Sequence, residues 1–130
     1  MAEEKQITKI NDIEEYVAWT ENTCAKLDTP LTDIVHMLFG MSTEVGELTD
    51  VFKKFIAYGK EVDAVNVVEE LGDILYYIAS FCRIYGVPLS EVIARNIAKL
   101  ETRYPEKFTQ DSANNRDLEK ERKQLENKNI

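Results

Sequence analysis

The sequence predicts an all-α protein, a four-helix-bundle-like domain followed by a polar C-terminal tail or helix. Three observations carry this expectation. Apolar side chains recur at three- and four-residue spacing over long stretches, the period of a helix buried along one face. No stretch alternates apolar and polar residues long enough to suggest paired strands. Pro30, Pro88 and Pro105, the three prolines, each fall at a break between helical patterns.

The first helix is expected over 12–27, capped by Asn11 or Asp12. The second is expected over 32–58, with Thr32 or Asp33 at its start and Gly59 after its end. The third covers 63–85 and stops at Gly86, before Pro88. The fourth begins near Ser90, with Leu89 before it, and runs to Tyr104. Short connections make consecutive helices antiparallel neighbours. The second and third helices carry wider apolar faces than a chain of 130 residues is expected to cover alone, so a homodimer or homotetramer is expected. Residues 1–108 read as one helical domain. Residues 109–130 read as a polar segment, either an exposed helix after Asn114 or Asn115 or a mobile tail.

Composition narrows the function classes. With 44% hydrophobic and 31% charged residues, the chain has enough apolar material for one core. Sixteen basic and 24 acidic side chains give a formal charge of −8. Residues 109–130 hold five of each sign, so the whole excess lies in 1–108. An acidic body argues against duplex nucleic acid as a partner, because that needs a basic footprint. Handling phosphates would require an intermediary cation. Cys24 and Cys82 are too few for a disulfide scaffold. No segment approaches the roughly 18 apolar residues of a membrane span, and the charged start Met-Ala-Glu-Glu-Lys is not followed by an apolar run. The expectation is a cytoplasmic protein with no membrane partner.

Two pairs of acids carry the chemistry, Glu44 with Glu47 and Glu70 with Asp73. Spacing of three residues puts each pair on one helix face, but four such acidic pairs occur in the chain, so spacing alone decides nothing. Position on the wheel does. At about 100° per residue from Ile34, Glu44 falls between Met37 and Val51, inside an apolar arc, with Glu47 and Lys54 at its edge. Glu70 falls between Tyr77 and Phe81 on the third helix, with Asp73 at the border. Unpaired buried carboxylates are costly and repel one another. Too few cations are near to neutralise four, and a divalent cation held by oxygens is the economical solution. Four carboxylates without cysteine or histidine favour Mg²⁺ or Mn²⁺ over Zn²⁺. A di-iron bundle is disfavoured because His36, the sole histidine, lies in no Glu-x-x-His pair. The plain alternative, acids lining a solvated groove, fits either pair alone better than both together. Gly46 and Gly72 sit inside the two pairs and are expected to let the helices approach closely, offsetting about 1 kcal/mol of lost helix propensity each.

Glu44-Val-Gly-Glu47, a gap of 22 residues, then Glu70-Leu-Gly-Asp73 resembles the E-x-x-E…E-x-x-D signature of MazG-like nucleoside triphosphate pyrophosphohydrolases, members of the all-α NTP pyrophosphatase superfamily. Asn96-Ile-Ala-Lys99 resembles the family's N-x-x-K element, and Arg103-Tyr-Pro-Glu-Lys-Phe108 its R-Y-P-x-x-F closure. The stretch from Ser112 to Arg122 resembles the tail of many single-domain members. The resemblance spans 33–123 and implies a single-domain form. It implies Mg²⁺-dependent hydrolysis of a (deoxy)nucleoside triphosphate to the monophosphate and pyrophosphate, with Mn²⁺ as a substitute. The implied metal ligands are Glu44, Glu47, Glu70 and Asp73, and the implied phosphate contacts are Asn96 and Lys99, with Lys54 as a weaker one. Glu47 and Glu70 are the catalytic candidates. Glu47, at the arc's edge, suits a general base, although the sequence leaves that role open.

Trp19 and Tyr77 are the aromatic candidates for holding a base. His36 reads as a surface or network histidine, and Arg116 as a solvated charge. Two other readings stay open: a phosphoribosyl-ATP pyrophosphohydrolase, which would call for more basic residues, and a non-enzymatic helical oligomerisation module, against which the core-facing acids count.

Overall fold

The computed structural model describes residues 9–126, so the outermost parts of the two expected segments, 1–8 and 127–130, lie outside the described residues. Six α-helices and no strand occur among the described residues: α1 Ile13–Trp19, α2 Pro30–Tyr58, α3 Ala64–Tyr85, α4 Leu89–Arg103, α5 Gln110–Asn114 and α6 Leu118–Leu125. None of these helices is long and apolar enough to cross a membrane. The chain forms two compact units, Met1–Gly86 and Val87–Ile130.

Within the first unit, α1 is much shorter than the expected 12–27. Asp12 caps it, its side chain accepting from the Glu15 amide at 2.8 Å. It ends at Trp19 and gives way to a 3₁₀ turn, Thr20–Asn22. Hydroxyl chemistry explains the stop. The Thr20 hydroxyl, fully buried, donates to the Val17 carbonyl at 2.7 Å and accepts from Arg83 Nε at 3.1 Å. Thr23 donates to the Tyr76 hydroxyl at 3.0 Å. These threonines spend their side chains on tertiary bonds instead of continuing a helix for which they have poor propensity.

Helix α2 starts two residues before the expected point. Thr29 is the N-cap, Thr32 completes a reciprocal capping box, and Pro30 occupies the first helical position. Proline there loses no intrahelical bond and has the required φ already set. What reads as a break is therefore a start. Both long helices end where expected, with Gly59 (φ 63°) and Gly86 (φ 84°) in the left-handed conformation that glycine adopts without a Cβ penalty.

Helices α2 and α3 form the main packed pair, linked by residues 59–63. The stripe of α2 toward α3 is Met37, Gly40, Glu44 and Val51, and of these Met37, Gly40 and Val51 are buried. The wider apolar arc from Ile34 to Ile56 is mostly open: Leu38, Val45, Phe52, Phe55 and Ile56 are exposed, Ile56 by 82%. On α3 the buried set is Glu70, Ala79, Ser80 and Cys82, while Val68, Leu71 and Leu75 stay exposed.

The glycines divide differently from the expectation. Gly46 and Gly72 have nothing within 4 Å of a built Cβ, so they do not mediate close approach within this chain. Gly40 does. A Cβ there would overlap the ring of Tyr77, which crosses α2 at that point.

In the second unit α4 packs against α6. The described part of the tail, 109–126, carries two short helices, α5 and α6. Thr109 and Asp117 cap α5 and α6 with side-chain oxygens, at 3.0 Å from Ser112 N and 3.0 Å from Lys120 N. Arg116 is exposed as expected but also ion-paired: its Nη2 lies 2.6 Å from Glu121 Oε2, and Glu121 is only 3% exposed.

Gly46→Ala and Gly72→Ala are each expected to raise stability by about 1 kcal/mol, the helix-propensity gain at an open position. Gly40→Ala is expected to lower it by about 1–3 kcal/mol, because the Tyr77 ring must move. Thermal denaturation of the three variants checks the ordering.

Candidate metal centre

Glu44 on α2 and Glu70 and Asp73 on α3 each offer a carboxylate oxygen, and these oxygens lie within 4.8 Å of one another. Helix geometry brings them together. Glu44 sits in the middle of the α3-facing stripe, one turn after Gly40, and Tyr77 packs on Gly40 one turn after Asp73. The glycine–tyrosine contact thus sets the register at which the acids meet.

Glu70 is 8% exposed, and no lysine or arginine pairs with it among the described residues. Burial, first, and then the carboxyl of Glu44 beside it push its pKa above the ordinary glutamate value; Glu69 and Glu47 push the same way. Asn66, one turn earlier, has its amide assigned with the nitrogen toward the acids, the orientation that satisfies both groups, and so donates to Glu70 Oε1 at 2.9 Å and to Glu69 Oε2 at 3.2 Å. Asn66 is absent from the sequence reading. Its only signal there is an amide four residues before a core-facing acid.

Burial and the charges of Glu44, Tyr76 and Asp73 raise the Tyr77 phenol above its usual range, and burial, Tyr76 and Asp73 do the same for Tyr16. Both phenols therefore stay neutral beside the carboxylates. Tyr77 also meets Tyr76 edge-on at 5.4 Å and His36 at 6.4 Å. Among the described residues His36 Nδ1 is buried without a hydrogen-bond partner.

The remaining expected residues are placed as follows. Glu47 is exposed, one turn beyond Glu44 and outside the three-oxygen cluster. Lys54 is engaged with Asp50, which Lys53 also pairs at 2.6 Å. Trp19 is 39% exposed and stacks on Tyr16 at 6.3 Å. Asn96 is exposed and Lys99 half-buried, both on α4 of the second unit.

Three convergent carboxylates, one of them buried, suit a hard divalent cation bound by oxygens. Among the described residues no lysine or arginine pairs with any of the three.

Residues 34–108 match the family model described as the MazG nucleotide pyrophosphohydrolase domain. The chain belongs to this family. The MazG match takes in both acidic pairs and runs from Ile34 on α2 to Phe108 beyond α4. The chain is also 32% identical over 88 residues to the Gene 37 protein of Mycobacterium phage L5, covering 62% of this chain and 75% of the phage protein. No solved structure matches.

Mg²⁺ is expected to raise Tm at neutral pH. The raised pKa of Glu70 means that its contribution to apo stability is full below the ordinary glutamate value and is lost as pH rises through the raised one. The cation removes that loss, so its increment shrinks as pH falls and protons compete for the same oxygens. Glu70→Gln is expected to raise Tm in EDTA and abolish the Mg²⁺ increment, read by thermal scans in neutral and mildly acidic buffer.

Proposed function

We propose that this MazG-family protein hydrolyses a (deoxy)nucleoside triphosphate to the monophosphate and pyrophosphate in a divalent-cation-dependent reaction. The observation that carries the reading is the buried Glu70 carboxylate, converging with Glu44 and Asp73 from two facing helices with no lysine or arginine paired to it among the described residues. A triphosphate brings about four further negative charges into such a pocket, which makes a cation a requirement for binding.

Glu44, Glu70 and Asp73 would hold Mg²⁺, or Mn²⁺ in its place, with Glu47 as a further ligand or as the base. A cation bound there supplies charge neutralisation at the phosphate oxygens. The chain's own residues do the rest. Water adds to the α-phosphorus, and the bond to the bridging oxygen of the β-phosphate breaks. Pyrophosphate leaves with the electron pair, and Glu47 takes the water proton. Glu47 suits this because it is exposed and one turn from the cluster, with solvent able to carry the proton away. Tyr77, kept neutral, can donate to a ligand oxygen or base edge, and the Trp19–Tyr16 stack offers a flat apolar face. Asn96 and Lys99 are assigned to the phosphates on the strength of the motif. Lys54 is a poorer candidate than its sequence position suggests, because Asp50 already holds it.

We also propose that the protein works in the cytoplasm as a homodimer or homotetramer. The open apolar sides of α2 and α3 support self-association, since faces of this extent are rarely left in water.

A panel of NTPs and dNTPs with Mg²⁺, scored separately for pyrophosphate and orthophosphate, tests the activity. The expected result is monophosphate plus pyrophosphate, abolished by EDTA and reduced at least about 100-fold by Asp73→Ala and by Glu47→Ala, with the helical circular dichroism retained. Orthophosphate release would move the cleaved bond away from the α-phosphorus. Full activity in both variants would remove the site from these residues.

A further inference from the structure

The family match ends at Phe108, yet the chain beyond it is folded and built onto α4. The joint is Glu121, on α6. Its carboxylate accepts from Arg103 Nε at 2.8 Å and Nη2 at 2.9 Å, and from Arg116 Nε at 3.2 Å and Nη2 at 2.6 Å. Two guanidinium groups thus fill all of its lone-pair sites, in the paired geometry that makes arginine–carboxylate contacts strong. Glu121 is 3% exposed. A second anchor lies toward the other end of α6, where Arg95 donates to the Leu125 carbonyl while its Nε holds Glu91 at 3.0 Å.

Arg95, Lys99 and Arg103 are four residues apart in succession, so they share one face of α4. Both anchors of α6 are therefore on the face that carries Lys99, which is half-buried. Arg103 also lies over the Tyr104 ring at 5.7 Å, so the first two residues of the Arg103-Tyr-Pro stretch are committed to this joint.

We infer that Glu121 is a positioning residue: through Arg103 it clasps α6 to α4, and the order of α4 and the placement of Lys99 depend on the segment after Phe108. The consequence for substrate rests on the phosphate role proposed above for Lys99. The clasp itself does not.

The test uses the full chain with Glu121→Gln, which keeps the side-chain shape and removes the charge, and Glu121→Asp, which keeps the charge. In Glu121→Gln, backbone amides of 89–103 and 118–125 are expected to exchange with solvent at least about tenfold faster, while those of α2 and α3 and the Mg²⁺ increment in Tm stay unchanged. KM for the best nucleotide is expected to rise about tenfold with kcat within about twofold, and Glu121→Asp to recover part of both effects. Unchanged exchange over 89–103 in Glu121→Gln would overturn the clasp. Faster exchange with KM unchanged would overturn the positioning of Lys99. A wild type that hydrolyses no nucleotide would instead sink the proposed function and leave the exchange result to decide the clasp.

Discussion

The cost of holding Glu70 out of water organises the first unit. A buried carboxylate without a cation is among the more expensive features a small helical protein can carry, and it persists only where something recovers the expense. Here the Asn66 amide, turned with its nitrogen toward the acids, recovers part of it. The surrounding choices follow from the same constraint. Gly40 leaves room for the Tyr77 ring to pack against α2, that contact sets the helix register, and the register delivers Glu44 opposite Glu70 and Asp73. The interior of the α2–α3 pair is accordingly narrow, and much of the pair's apolar surface faces outward.

The second unit solves the opposite problem. Its one deeply buried acid, Glu121, is saturated by two arginines and sits well below the usual carboxylate range. Glu121 has two arginines beside it, whereas Glu70 has no lysine or arginine paired to it among the described residues. The two acids are shifted in opposite directions for that reason: burial and neighbouring carboxylates raise Glu70, and two guanidinium groups lower Glu121.

Much of this was legible in the sequence. The ends of α2 and α3 follow from Gly59 and Gly86, and the core-facing acids from a helical wheel, because both depend on local periodicity. The errors share a cause as well: each concerns where a side chain spends its hydrogen bonds or volume across the fold. Thr20 and Thr23 end α1 through Arg83 and Tyr76, more than fifty residues away. Pro30 looks the same whether it breaks one helix or opens the next, until Thr29 and Thr32 are seen to cap it. Gly46 and Gly72 stand beside the acids and invite the role that Gly40 has, since nothing local marks a glycine as lying under an aromatic ring. Arg116 looks like an ordinary solvated charge in a polar tail, and only the return of that tail onto α4 buries the Glu121 carboxylate it pairs with.

The link between α2 and α3 is only residues 59–63, and the three converging acids all come from within 44–73. Bringing them together closes one short loop, which costs little chain entropy and requires no contact with sequence-distant segments. The centre can therefore assemble early, as soon as one hairpin zips, before the C-terminal segment has left the ribosome. A cation arriving at that stage would act on folding as well as on the finished protein, biasing the nascent hairpin toward the register that the mature site uses.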